Sequence, residues 1–202
     1  HTTNKIKNNA TFFSVLYFIP LSLNCKIIKR FINKRSFFYF CFAEKKKKTY
    51  FCEMKIYYVS DIDVFKEDFI EKCASFFPEW RKDKMLQYKH LKGRVQNGLA
   101  YLLLIKALQE EGVFKELPEF SYNEHGKPFL KNYPEWYFNI SHCKTAVCCV
   151  LSKKEIGIDI EEIAAYKESL ADYICNENEF AELQNSENQA EAFYRLWTMK
   201  EA

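Results

Sequence analysis

From Met54 onward the apolar positions recur with enough regularity to divide the chain into elements. Met54-Lys55-Ile56-Tyr57-Tyr58-Val59 reads as a first core strand. Ser60 is the expected cap of a following helix, in which Phe65, Phe69, Ile70, Cys73 and Phe77 keep helical spacing until Pro78 punctuates it. Glu79 to about Glu111 is helical again. There Met85, Tyr88, Val95, Leu99, Leu102 and Leu103 point inward, and Gly93 and Gly98 mark a break or a close packing contact. The pattern then turns to strands. Gly126-Lys127-Pro128 is a turn before an extended segment, and Tyr137 to Ile140 is a strand ending at Ser141-His142. Thr145 to Leu151 and Ile156 to Glu161 flank a polar connection, Ser152 to Glu155, suited to a hairpin. Asn176 with Glu179, and Ser186 with Gln189, read as capping boxes opening a short and a longer helix, the latter burying Phe193, Leu196 and Trp197.

Two acidic stretches stand out against this frame. Gly157-Ile158-Asp159-Ile160-Glu161 alternates apolar and acidic residues, so as a strand it buries Ile158 and Ile160 on one face and projects Asp159 and Glu161 from the other. Trp197-Thr198-Met199-Lys200-Glu201 sets an ammonium and a carboxylate side by side near the end of a helix. Each alone is ordinarily a solvated face. Together the carboxylates Asp159, Glu161 and Glu201 beside Lys200 make a site for a hard divalent cation, because Mg2+ takes oxygen ligands and shares its shell with substrate phosphates. The helical stretch after Pro78 begins with a basic run, Arg81, Lys82, Lys84, Lys89, His90, Lys92 and Arg94. Such a run is either a solvated face or an electrostatic cradle for a polyanion.

Composition changes the picture mainly at the amino end. The 202 residues, 48% of them hydrophobic, suffice for one large domain or two small ones. The net charge of +3 hides a split: residues 1–53 hold 11 Lys or Arg and 2 acidic residues, leaving 19 basic and 25 acidic residues in the remainder. That first segment is rich in Phe, Lys, Asn and Ile, carries the Lys45 to Lys48 run, and sustains neither a helical nor an alternating period. It is expected to be an upstream-translated or disordered extension with no part in the fold. Its apolar run, Phe12 to Leu23, is interrupted by Ser14, Pro20 and Ser22, lacks an Ala-x-Ala-like cleavage site and is too short to span a bilayer. The eight cysteines contain no Cys-x-x-Cys pair and no zinc spacing, the usage of a cytoplasmic protein.

Read in order, Asn123-Glu124-His125-Gly126-Lys127-Pro128, Phe138-Asn139-Ile140-Ser141-His142, Gly157 to Glu161, and Phe193-Tyr194-Arg195-Leu196-Trp197-Thr198-Met199-Lys200-Glu201-Ala202 resemble the 4'-phosphopantetheinyl transferases of the surfactin-synthetase-activating type. The resemblance runs from about Met54 to Ala202. It implies an α+β fold of that family: a near-complete first half over 54–160, and the start of a pseudo-twofold related second half over 161–202, cut short at the carboxyl end relative to the family pattern. It also implies transfer of the 4'-phosphopantetheine arm of coenzyme A to a serine of an acyl or peptidyl carrier protein, with release of adenosine 3',5'-bisphosphate.

Carried over residue by residue, the resemblance assigns Arg81, Lys84 and Arg94 to the 3'-phosphate of coenzyme A, Lys127 and Pro128 to the adenine nucleotide, and Ser141 and His142 to phosphate oxygens. Asp159, Glu161 and Glu201 would hold Mg2+, or Mn2+ in its place; Glu201 would be the base for the attacking serine, and Lys200 would balance phosphate charge. Cys143 stands where the family has Ser or Thr. Neither nucleic acid nor membrane is an expected partner. Two other readings stay open: a non-catalytic fragment that binds coenzyme A or a carrier protein, and a Mg2+-dependent nuclease. The nuclease reading lacks an acidic residue and a lysine one residue apart on the strand, since Glu161-Glu162-Ile163 offers none.

Overall fold

The structure, a computed structural model, describes the backbone of residues 15–18, 28–33, 36–44 and 54–202, and side-chain environments from Ile56 onward. The elements run β1 (Val15–Phe18), β2 (Ile28–Asn33), β3 (Ser36–Glu44), β4 (Met54–Ser60), α1 (Glu67–Phe76), α2 (Glu79–Leu86), α3 (Leu91–Glu110), β5 (Phe120–Tyr122), β6 (Pro128–Leu130), β7 (Tyr137–His142), β8 (Ala146–Ser152), β9 (Ile156–Glu162), α4 (Glu168–Ile174), α5 (Glu177–Gln184) and α6 (Gln189–Glu201). The mixture is α+β. One sheet has the order β1-β4-β8-β7, a second β2-β3-β9, and β5-β6 form a small hairpin.

Strand β8 shows why the fold holds together. Val147, Cys149 and Leu151 face the main core, which α3 fills with Val95, Leu99, Leu103, Leu104 and Leu108. Ala146, Cys148 and Val150 face the other way, onto Ile156, Ile158 and Ile160 of β9. With both faces covered, the strand reads as a continuous apolar run, and its two cysteines serve as small hydrophobes. A third cluster, Ala171, Leu183, Ala192 and Phe193, is confined to α4, α5 and α6, where Tyr166 stacks on Phe193 at 4.7 Å.

Several sequence expectations need correction. Strands β8 and β9 follow one another but do not form a paired hairpin: β9 pairs with β3, from Phe38 opposite Glu162 to Glu44 opposite Ile156. The backbone described within 1–53 is therefore strand, with β1 on β4 and β3 on β9, where the sequence suggested no part in the fold; the rest of that segment, the Lys45 to Lys48 run included, lies outside the described residues. The residue at the start of α1 is Lys66, not Ser60, which ends β4. The long helical stretch breaks between Leu86 and Leu91, ahead of both glycines. Gly98 is instead a close contact: a Cβ there would sit 3.3 Å from Met85 Sδ and Phe69 Cε1. Tyr88 lies in that break and is exposed. The Asn176–Glu179 capping box is present, whereas α6 starts from Asn188, whose side chain accepts from the Glu191 N–H.

Candidate active site

Helices α2 and α3, the β5–β6 hairpin and β7 enclose a cavity of about 490 Å3. Five residues expected from the sequence line it: Arg81, Lys84, Lys127, Pro128 and His142. Tyr101, Phe120, Tyr122 and Phe138 supply aromatic walls that the sequence reading missed. Phe120 and Phe138 stack at 5.4 Å, and Phe120 meets Tyr101 edge-on at 6.0 Å. The signal for these walls was available only through the pairing of β5 with β6, which carries Phe120 and Tyr122 over the helices.

Each positive group in the cavity is held differently. Arg81 is buried, donates to the Asn97 carbonyl and lies over the Tyr101 ring at 4.9 Å. Burial pulls its guanidinium below the ordinary arginine value, and the neighbouring Tyr101 opposes that. Burial likewise pushes the Tyr101 phenol up to about 12. Lys84 approaches the face of Tyr122 at 5.7 Å. Lys127 follows Gly126, whose φ of 76° makes the turn, and the Asn123 side chain locks it by accepting from the backbone N–H groups of His125 and Lys127 at 3.0 and 2.8 Å.

Two expected residues stay out of the cavity lining. Arg94 donates through Nε to the Tyr88 carbonyl at 2.9 Å and lies 3.9 Å from Glu67. Ser141 donates instead to Asp159 Oδ1 at 2.6 Å.

The carboxylates form a second group, next to β7. Asp159 is almost fully buried on β9, and its Oδ2 has no hydrogen-bond partner. The Glu161 carboxyl is pushed up to about 7, by burial first and by the Asp159 charge next. Glu162 and Glu201 add to the rise, and a hydrogen bond from the Trp197 side chain opposes it. Trp197 thus does more than anchor the core; its place one helical turn before Glu201 on α6 was the sequence clue. Lys200 is not with these carboxylates. Its Nζ pairs with Glu179 at 2.6 Å and donates to the Ile174 carbonyl, which fixes α6 to α5 and the end of α4.

An oxygen-only donor set with a buried, orphaned carboxylate oxygen suits a hard divalent cation. Among the described residues no three His, Cys, Asp or Glu side chains converge into a ready ligand set. Asp159 and Glu161 by themselves therefore do not make up a ligand set among the described residues.

Comparison with known proteins finds similarity to one family. Residues 155–202, which hold β9, α6 and these carboxylates, match the model of the 4'-phosphopantetheinyl transferase superfamily. Over those residues the chain is similar to this superfamily. It is 28% identical to the 4'-phosphopantetheinyl transferase Sfp of Bacillus subtilis (strain 168) over 152 residues, 74% of this chain and 68% of that protein. Against the 4'-phosphopantetheinyl transferase gsp of Aneurinibacillus migulanus it is 34% identical over 125 residues, 60% of this chain and 52% of that one. The 4'-phosphopantetheinyl transferase AcpT of Salmonella typhi matches 92 residues at 42% identity, 43% of this chain and 47% of that protein. The chain thus spans from about half to two thirds of the length of these relatives. Among the described residues, no helix is long and apolar enough to cross a membrane.

Proposed function

We propose that the protein transfers the 4'-phosphopantetheine arm of coenzyme A to a serine of an acyl or peptidyl carrier protein. The observation that carries this reading is the adjacency of a basic, aromatic-walled cavity to a carboxylate-bearing strand, joined through β7: His142 lines the cavity while Ser141 bonds Asp159. The aromatic walls suit a purine, and Lys84, Lys127 and His142 suit its phosphates. In the reaction the serine oxygen bonds to the β-phosphorus, the bond to the α-phosphate oxygen breaks, and adenosine 3',5'-bisphosphate leaves. The serine proton passes to a carboxylate, for which Glu201, exposed at the end of α6, is the candidate.

Asp159 and Glu161, with Glu201, would hold Mg2+ or Mn2+, which when bound neutralises charge on the pyrophosphate. Asp159 is suited to this by its free Oδ2, and Glu161 by a carboxyl that is uncomfortable without a cation. Lys200, held on Glu179, would reach phosphate only by leaving that pair. Helices α4 to α6, with their own small core, fit the start of a second half. The reading sets the reaction in the cytoplasm, consistent with the free thiols of Cys73, Cys143, Cys148, Cys149 and Cys175.

The test is mass spectrometry of an apo carrier protein incubated with this protein, coenzyme A and Mg2+. One added phosphopantetheine arm on one serine is expected. Unmodified carriers across several types, with coenzyme A still bound, would favour a non-catalytic binding protein.

A further inference from the structure

Strand β7 runs between the two halves of the site, and the side chains of a strand alternate. Phe138, Ile140 and His142 fall on one side, and all three line the cavity; of the residues on the other side Asn139 also reaches its lining and Ser141 does not. Ser141 falls on the other, toward β9, where its hydroxyl donates to Asp159 Oδ1 at 2.6 Å and its oxygen lies 3.4 Å from the Ile160 N–H. A serine hydroxyl has one proton to give. While it is given to Asp159, Ser141 has none for a phosphate oxygen in the cavity.

The consequence falls on Asp159. Its side chain is buried, with no partner on Oδ2 among the described residues. The bond from Ser141 fixes one carboxylate oxygen and so sets the direction of the other. We infer that Ser141 is a positioning residue for Asp159, orienting its free carboxylate oxygen for a divalent cation, and is not a phosphate contact. The inference rests on the transferase reading only in expecting a cation beside coenzyme A. Such outer partners of a ligating carboxylate commonly account for roughly 10- to 100-fold in metal affinity.

The test compares S141T and S141V, which have the same shape and differ in one hydroxyl, with the wild-type chain. Mn2+ uptake is read by electron paramagnetic resonance, and coenzyme A binding by calorimetry in the presence of a chelator. S141T should hold Mn2+ within about threefold of wild type, and S141V should lose roughly 10- to 100-fold. Metal-free coenzyme A affinity should stay within about twofold in both, since a group outside the cavity makes no net contribution there.

Weaker metal-free coenzyme A binding in S141V with Mn2+ affinity intact makes Ser141 a phosphate contact and overturns the inference. Equal losses of Mn2+ in S141T and S141V also overturn it, because shape rather than the hydroxyl would then matter. Wild-type protein that takes up no Mn2+ removes the cation site and the inference together. If wild type binds Mn2+, S141V loses it and no carrier is modified, the transferase reading fails and the role of Ser141 stands.

Discussion

The cavity and the carboxylate strand lie on either side of β7, yet they treat charge in opposite ways. In the cavity the protein itself compensates two of the cations: Arg81 has the Asn97 carbonyl and the Tyr101 face, and Lys84 the Tyr122 face. On β9 the acids crowd one another. Asp159 and Glu201 both raise Glu161, and Lys200, next to Glu201 in sequence, is engaged with Glu179. On the proposed reading the first region accepts an anion. The second is electrostatically incomplete until a cation arrives, and that difference predicts which measurements each region controls.

The largest effect should separate the two regions outright. Asp159→Ala and Glu161→Ala should each lower carrier modification by about 100-fold or more, the scale of losing a preorganised charge contact in a transition state. Metal-free coenzyme A affinity should hardly change. Because both carboxylates serve one ion, the double variant should be scarcely worse than either single one. Additive losses would mean that the two acids act independently and that the comparison is wrong.

The reverse separation follows on the other side. Lys84→Ala and Lys127→Ala should each weaken coenzyme A by about tenfold, the usual worth of a charge-assisted hydrogen bond, and the wild-type affinity should fall as salt rises. Mn2+ uptake without coenzyme A should be unaffected. Arg81→Ala is a poorer probe, because the buried guanidinium also packs on Tyr101 and its loss would destabilise α2 against α3.

A smaller effect should appear as pH dependence. The folded Glu161 carboxyl keeps its proton to about 7, whereas the unfolded one releases it near 4.5. Its contribution to stability is therefore present below about 4.5 and lost as pH rises toward 7. Metal-free protein should melt progressively lower across that window. Glu161→Gln should flatten this part of the profile, and Mn2+ at pH 7 should restore the melting temperature of wild type but not of the variant. A wild-type profile unchanged by Glu161→Gln would show that the carboxyl is not crowded.

How far these regions were legible in the sequence follows from the range of the forces involved. Local periodicity placed β4, β7, β8, β9 and the inward faces of α1 and α3, since Ile70, Cys73, Val95, Leu99 and Leu103 are all buried. Strand alternation places Asp159 and Glu161 as neighbours, and the same rule sends Ser141 and His142 to opposite sides of β7. What the sequence could not supply was pairing at a distance. The polar connection Ser152 to Glu155 suggested a β8–β9 hairpin, while packing of Ile158 and Ile160 onto Cys148 and Val150 stacks β9 against β8 instead. Lys200 beside Glu201 suggested a shared role. The helix turns them apart, one to α5 and the other toward β9.

The smallest effect is expected from the amino-terminal segment, and it bears on the comparison because its described strand β3 pairs with the carboxylate strand. Among the described residues, none before Arg81 lines the cavity. Strand β3 pairs along the whole of β9, the strand that carries the carboxylates. A chain beginning at Met54 should therefore keep its metal-free coenzyme A affinity within about twofold, since every cavity contact and the α3 core beneath it remain. Mn2+ affinity is the sensitive quantity. The Ile156, Ile158 and Ile160 side chains already seat β9 on β8, and that apolar burial, not the backbone ladder to β3, should dominate its position. The shortened chain is thus expected to hold Mn2+ within about threefold and to match the longer one in protease resistance. Loss of Mn2+ binding with coenzyme A binding retained would show instead that β3 sets the carboxylate strand, and would place the boundary of the functional unit before Met54.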